Sequence, residues 1–365
     1  MTNVLTNCLN LNELEEEAQK LLPKMPFDYF AGGANDEITL RANKNAWQKK
    51  SLLYKVLVDV SKRDLSTTVL GQKIPMPLLI APTAFHRLAH PEGEIATIKA
   101  ASQAGIIMTL SSLSNTTIED VAAHANGNLW FQLYVYKDRG LMRSMVERAE
   151  ESGCKAIMVT VDAPFIGQRA RDARNHFHLP EGLNAQILMS SGIGTISKNS
   201  SGSGLSTFIT DNMDQSLTWL DIEKLAASTT LPILVKGVVR ADDAKRATEY
   251  GARGVVVSNH GGRQLDTAPA TFDVLPAIAE AVFGKTEILI DGGIRRGTDI
   301  IKAIAYGATA VMVGRPIIWG LAVNGQQGVR QVLDTLKSEL DLAMALCGCP
   351  TIKDISHDLL GEMHV

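Results

Sequence analysis

Along residues 77–346 of this 365-residue chain, short apolar runs alternate with amphipathic stretches of helical length, eight times over. The runs are Pro77–Ala81, Ile106–Leu110, Leu129–Tyr134, Ala156–Val161, Leu231–Lys236, Val255–Val257, Glu287–Asp291 and Ala310–Gly314. Continuous hydrophobicity of this kind suits strands buried on both faces, the condition of a parallel sheet. Parallel neighbours need long crossovers, and the intervening stretches supply them as helices. The pattern predicts helices over Glu92–Gln103, Ile118–Ala125, Asp138–Ser152, Asp221–Ala227, Ala241–Tyr250, Phe272–Phe283, Thr298–Tyr306 and Gln326–Leu346. Thr117 followed by Glu119 and Asp120 makes a helix start with negative charge in its first turn. Gly251, Gly284 and Gly307 stand just past three of the helices, where a left-handed residue ends them. A doubly wound open sheet would also alternate, but eight even units favour closure into a (β/α)8 barrel. Leu11–Leu22 reads as an extra N-terminal helix and Tyr29–Tyr54 as a packed extension, so residues 1–365 form one domain.

Composition narrows the function classes. With 45% hydrophobic and 21% charged residues, the chain can bury a large core. A net charge of −3 leaves no basic footprint for nucleic acid and no polybasic membrane patch. No apolar run approaches the roughly 20 residues of a membrane span, and the N-terminus lacks a signal-peptide core. The last four residues, Glu-Met-His-Val, match no peroxisomal or retention address. Cys8, Cys154, Cys347 and Cys349 show no disulfide framework or zinc-knuckle spacing, so reduced thiols in a cytoplasm are expected. His176 and His178 lack an acid or thiol partner set, and no metal is expected.

The strand ends carry the chemistry. Val255-Val-Val opens directly into Ser258-Asn-His-Gly-Gly-Arg263, an imidazole beside a fixed cation on a glycine-loosened turn. The neighbouring runs end in Lys236, in Asp291-Gly-Gly-Ile-Arg295 and in Gly314-Arg315. In a barrel all of these face the C-terminal mouth, where such folds place their active sites. Four cations in one cleft repel one another, so Lys236, Arg263, Arg295 and Arg315 call for an anionic ligand. Gly292, Gly293 and Gly314 are placed to let backbone N–H groups approach a phosphate. Asp291 can accept from sugar hydroxyls, and the set together points to a nucleotide-like cofactor. Lys236 is then free to face negative charge developing on a flavin ring. Between the fourth and fifth strands, about residues 165–215 interrupt the rhythm with serine- and glycine-rich stretches at 190–194 and 199–204. That density should not build a core, and a long mobile loop at this end of a barrel reads as a lid.

Nine motifs make a resemblance plain: Asp28-Tyr-Phe-Ala-Gly-Gly-Ala34, Ala81-Pro-Thr-Ala84, His90-Pro-Glu-Gly93, Phe131-Gln-Leu-Tyr134, Thr160-Val-Asp162, Leu234-Val-Lys-Gly237, Ser258-Asn-His-Gly261, Asp291-Gly-Gly-Ile-Arg295 and Gly314-Arg-Pro316. Over roughly residues 8–355 the chain resembles the FMN-dependent 2-hydroxy-acid oxidases, a family that includes glycolate and L-lactate oxidases. The resemblance implies that Pro82, Thr83, Ala84, Ser111, Gln132, Tyr134 and Thr160 line the flavin. Lys236 and Ser258 would contact its pyrimidine side and ribityl chain. Asp291, Gly292, Gly293, Ile294, Arg295, Gly314 and Arg315 would cradle the ribityl and phosphate. Tyr29, Tyr134, Arg169 and Arg263 would surround the substrate, the arginines gripping its carboxylate with planar forks. His260 matches the catalytic base and Asp162 the acid that orients it.

What the resemblance implies chemically is oxidation of a small 2-hydroxy acid to a 2-oxo acid, with dioxygen reduced to hydrogen peroxide. It also implies a homotetramer. An FMN-dependent barrel isomerase would keep the phosphate cradle without needing Arg169, Arg263 and His260 together, and a silent FMN scaffold would lose the base. Glycolate-preferring relatives generally carry tryptophan where this chain has Leu113. Leucine leaves room for a methyl group, so L-lactate is the expected substrate, glycolate a weaker one, with Thr83 and Ile166 expected in the same region.

Overall fold

The computed structural model describes residues 8–199 and 202–363. Three helices, α1 (Leu11–Leu21), α2 (Lys24–Ala31) and α3 (Ile38–Ala46), precede the short strand β1 (Lys50–Leu52) and a hairpin, β2 (Thr67–Val69) and β3 (Gln72–Ile74). The repeat then runs β4 (Leu78–Ile80), α4 (Gly93–Ala104), β5 (Met108–Ser111), α5 (Ile118–Ala122), β6 (Leu129–Leu133), α6 (Arg139–Glu151) and β7 (Ile157–Thr160). A long insertion holds α7 (Ala170–Arg174), α8 (Gly204–Asn212) and α9 (Trp219–Ser228). The second half follows as β8 (Ile233–Val238), α10 (Ala241–Glu249), β9 (Gly254–Val257), α11 (Thr271–Ala281), β10 (Glu287–Ile290), α12 (Gly297–Ala305), β11 (Ala310–Val313) and α13 (Arg315–Cys347). A last strand, β12 (Leu360–Glu362), pairs antiparallel with β1.

β4 to β11 close into the expected parallel barrel, with Val311, Met312 and Val313 of β11 paired to Leu78, Leu79 and Ile80 of β4. Alternation along each strand divides the core. Leu79, Trp130, Met158, Leu234, Val256, Leu289 and Met312 fill the barrel interior, while Leu78, Ile80, Ile157, Val255 and Ile290 pack outward under the helices. The hairpin, which the apolar periodicity did not announce, plugs the N-terminal mouth. Val69 and Ile74 join the interior cluster. The Trp130 indole donates to Gln72 Oε1 at 2.7 Å, and Leu70 N donates to both Glu287 carboxylate oxygens at 3.0 and 2.9 Å. With one mouth filled, the other is left for ligands.

Helix starts follow local chemistry. Asn10, Thr117 and Asp138 each accept from backbone N–H groups of the helix they open, satisfying donors that have no intrahelical partner. The last helix departs from expectation by beginning at Arg315, directly off β11. A break at Asn324 and Gly325 separates its first turns from the stretch expected at Gln326–Leu346. Gly325 has φ +53°, and a Cβ there would meet the His90 imidazole at 2.9 Å.

The insertion after β7 differs from the coreless loop that serine and glycine content implied. Ile187, Leu188, Ile196, Leu205, Phe208 and Ile209 are buried. Backbone bonds from Leu179 N to Ile196 O, Ala185 N to Gly194 O and Gly204 N to Phe177 O tie the segment down. Sparse apolar residues suffice because they pack onto the existing barrel core instead of nucleating their own. Two serines of the 199–204 stretch lie outside the described residues, as do the final two residues of the C-terminal tetrapeptide. Among the described residues no helix is long and apolar enough to cross a membrane, and no cluster of histidine, cysteine or acidic side chains could hold a metal ion.

Candidate active site

The C-terminal ends of the barrel strands surround a cavity that opens to solvent. Of the residues singled out from sequence, Tyr29, Pro82, Thr83, Ala84, Ser111, Leu113, Gln132, Tyr134, Thr160, Ile166, Arg169, Lys236, His260, Arg263, Asp291, Gly292, Gly293, Ile294, Arg295, Gly314 and Arg315 line it. Asp162 and Ser258 stand one layer behind. Asp162 Oδ1 accepts from His260 Nδ1 at 2.9 Å. Ser258, fully buried, accepts from Lys236 Nζ at 2.9 Å and from His260 N at 3.1 Å. Ser258 therefore acts here as a brace under two wall residues.

Backbone geometry aims the imidazole. His260 sits at φ +57°, an uncommon conformation for a residue with a Cβ, followed by Gly261 and Gly262 at +66° and +75°. The turn sends the ring back over the barrel mouth, where Nε2 lies 3.3 Å from the Tyr134 hydroxyl. Room for Asp162 comes from a bulge in the facing strand. The β8–β9 register slips between Lys236 and Val238, and at Gly237 (φ +109°) a Cβ would meet Asp162 Cβ at 2.6 Å. Burial pushes the His260 pKa below the ordinary value, against the opposing pull of Asp162. For Asp162, burial acts upward, but the His260 charge, its hydrogen bond and Lys236 outweigh it and hold the carboxyl low. A neutral imidazole fixed by an ionised carboxylate is the outcome, the tautomer that leaves Nε2 open to accept a proton. Burial drives the Tyr134 hydroxyl far upward, with Asp162 adding to it, so it stays a neutral donor.

Cations crowd the other side. Arg169 is buried, its pKa pushed down to about 10 by burial and then by Arg263. Arg315 falls to about 9, through burial and then Arg263 and Arg295. Arg169 lies 3.7 Å from Asp172, its nearest counter-charge. Arg263 donates to Tyr29 O and to Gly32 O, and its guanidinium lies 4.8 Å from the Tyr29 ring centre. Arg315 donates to Phe30 O, Gly261 O and Gly32 O at 2.8, 3.0 and 2.9 Å. Both arginines thus bind the carbonyl-rich C-terminal end of α2, which has no intrahelical donors left. Two of Arg315's five donors are used this way and a third is taken by Gly261 O, leaving two for a ligand. Tyr29 is itself stacked on Phe177 at 4.2 Å, so the N-terminal extension forms one wall of the site.

The residues fit FMN. Ser111 donates to Gln132 Oε1 at 3.1 Å and Gln132 Nε2 donates to Thr160 at 3.0 Å, a polar edge suited to a flavin pyrimidine ring. Lys236 Nζ lies 3.2 Å from Asp291. Asp291 Oδ1 and Arg295 Nε are buried without a protein hydrogen-bond partner, an unmet demand at the expected ribityl and phosphate end. Two of the glycines there also have a steric reason. Gly292 and Gly293 have φ +105° and +82°, and their Cβ atoms would strike Thr271 Oγ1 at 2.6 Å and Asn43 O at 2.0 Å. Glycine is required by backbone sign and by contact with Thr271 of α11 and Asn43 of α3. A Cβ on Gly314 would make only ordinary contacts, with Thr83 Oγ1 at 3.4 Å.

Sequence reasoning passed over Gln264, Leu205, Ile209, Phe177 and Asp172. Gln264, Leu205 and Ile209 also line the cavity. The two α8 residues were hidden because nothing in the insertion's composition locates it over the mouth. Gln264 was visible in the turn sequence, but only the folded loop shows what it touches.

The description of FMN-dependent dehydrogenases matches residues 18–362. An L-lactate oxidase of Nostoc sp. is 52% identical over 98% of this chain and 99% of its own length. Glycolate oxidase 3 of Arabidopsis thaliana is 50% identical over 95% and 94%. Among solved structures, mandelate oxidase with (S)-4-hydroxymandelic acid superposes with a TM-score of 0.93 at 40% identity, covering 98% of this chain and 99% of that one. Fold, cavity chemistry and full-length similarity agree, and the chain belongs to the FMN-dependent 2-hydroxy-acid oxidase family, with FMN as its cofactor.

Proposed function

We propose that this protein oxidises L-lactate to pyruvate, dioxygen being reduced to hydrogen peroxide. The observation that carries the reading is the His260–Asp162 dyad facing Arg169 and Arg263 across one cavity. Pro82 to Ala84, Ser111, Gln132, Thr160, Lys236 and the Asp291–Arg295 and Gly314–Arg315 loops would hold FMN, which would supply the two-electron redox chemistry that links the hydroxy acid to dioxygen. The protein's share is binding and proton handling. Arg169 and Arg263 hold the carboxylate through planar forks. Tyr29 and Tyr134 hydrogen-bond the substrate, and Tyr134 stays protonated as a donor. His260 Nε2 accepts the substrate proton while Asp162 holds Nδ1–H and stabilises the imidazolium.

Substrate choice rests on Leu113, a buried residue of the cavity wall beside Ser111. Leucine leaves space for the lactate methyl, and the named activity of the Nostoc relative supports the same choice. One methyl in an apolar pocket is worth about 1–3 kcal/mol, so glycolate remains a weaker substrate. The test is kcat/KM for both acids, by peroxide release, in the parent and in Leu113→Trp. The parent should favour L-lactate, and the tryptophan should shift the ratio toward glycolate by about tenfold or more. A parent that prefers glycolate refutes the assignment. We further take the protein to be a cytoplasmic homotetramer, its four cysteines being unpaired; light scattering at monomer mass would refute the tetramer.

A further inference from the structure

Gln264 is the polar side chain of the cavity lining to which the proposed mechanism gives no role. It follows Arg263 on the loop after β9, and its carboxamide is saturated. Oε1 accepts from Gly167 N at 3.1 Å and from an Arg169 Nη2 at 3.3 Å. Nε2 donates to Asp162 O at 2.9 Å and to Phe165 O at 2.8 Å. A carboxamide offers two donors and two acceptor lone pairs, so no capacity remains, and its orientation is set by what each end meets.

All four partners belong to one stretch, the loop from Asp162 to Arg169 that leaves β7. One end of that loop carries the carboxylate that holds His260. The other carries the guanidinium that faces the cavity. Between them the loop has no helix or strand of its own, and α7 starts only at Ala170. It lies flat on the Arg263–Gln264 backbone. A Cβ on Gly167 would come within 2.3 Å of Gln264 O and 2.5 Å of Arg263 O, and Arg169 Nε donates to Arg263 O at 3.2 Å. Gln264 is thus the template on which the loop takes its shape.

We propose that Gln264 is a positioning residue, setting the spacing between the proton-accepting dyad and the carboxylate-binding Arg169, and that its neutrality keeps the Arg169 charge available to an anionic substrate. The first half follows from the four bonds. The second follows from Oε1 lying against the guanidinium. A carboxylate there would offset the charge that the substrate must meet, and would turn oxygen lone pairs toward the carbonyls of Asp162 and Phe165. The proposal rests on Arg169 being the carboxylate anchor.

Gln264→Leu and Gln264→Glu test it, both as FMN-loaded enzyme with rates normalised to bound flavin. Anaerobic stopped-flow reduction by L-lactate gives the substrate Kd and the limiting rate. Titration with oxamate, an unreactive carboxylate probe, gives anion affinity alone. In Gln264→Leu both reduction constants should worsen, each by about tenfold, the scale of a lost hydrogen bond to a charged group, with FMN content unchanged. Gln264→Glu, nearly the same shape, should weaken oxamate more than Leu does. A merely structural role would lower FMN content and thermal midpoint yet leave the flavin-normalised constants at parent values, and that result overturns the proposal. If Gln264→Leu yields no FMN-loaded protein, Gln264→Glu decides alone, and parent-like oxamate affinity refutes it. A parent that oxidises no 2-hydroxy acid would refute the functional reading first, and this proposal with it; parent-like constants in the variants refute this proposal only.

Discussion

Asp162→Asn isolates the charge behind the base. The amide can still accept from His260 Nδ1 across the present 2.9 Å, and its NH2 would take the place of Oδ2, which has no hydrogen-bond partner here. Shape is preserved and the negative charge is lost. At 2.9 Å a full unit pair interacts by about 6 kcal/mol at an effective dielectric of about 20. Only part of the imidazolium charge has formed in the transition state, and the neutral hydrogen bond that remains recovers some of the loss. About 3–4 kcal/mol is left, which corresponds to roughly two to three powers of ten in rate. The pH profile supplies a second sign. His260 lies below the ordinary histidine value of 6.5 because burial disfavours its charged form, so the neutral base persists to lower pH. The acid limb of kcat/KM should therefore fall below that value in the parent. Asp162 opposes the burial, so its removal should move the limb lower still while the plateau drops. Anaerobic stopped-flow flavin reduction by L-lactate across pH, with FMN content measured on each preparation, reads both. Flavin reduction within about threefold of the parent, or an acid limb that moves upward, would show that Asp162 does not stabilise a charged His260.

Arg263→Lys should raise KM for the hydroxy acid and lower flavin reduction together, because a point charge cannot replace a fork that also donates to Tyr29 O and Gly32 O; steady-state kinetics with an unchanged KM would contradict this. Gly293→Ala should lower the thermal midpoint and FMN affinity, since the left-handed backbone costs an L-residue about 1–2 kcal/mol and the added Cβ meets Asn43 O at 2.0 Å; thermal melts and flavin titration measure it. His260→Gln should retain FMN while flavin reduction falls by several powers of ten, about the contribution of a positioned general base; near-parent reduction in stopped flow would remove the residue from that role.

The barrel was legible because its signal is local. Each strand, such as Val255–Val257 or Glu287–Ile290, declares itself by a few consecutive apolar residues, and each crossover by its own 3.6-residue period. The strand ends were legible for the same reason: Lys236, His260, Asp291 and Arg315 follow their strands immediately, and closure carries every such end to one mouth. Resemblance added the roles of Tyr29 and Arg169, which no periodicity could supply. Other features depend on contacts between distant segments. The C-terminal end of α2 is tied by Arg263 and Arg315, more than two hundred residues away in sequence. The β2–β3 hairpin plugs the lower mouth through Val69 and Ile74 and through hydrogen bonds to Trp130 and Glu287. Gly292 and Gly293 are glycine because Thr271 of α11 and Asn43 of α3 lie against them, a reason invisible until both helices are in place. Leu205 and Ile209 reach the cavity only because the insertion folds back over it. A hydrophobic period reports how a segment faces its own neighbours, whereas which side chains meet across a closed barrel depends on the path of the whole chain, and that path exists only once the core has packed.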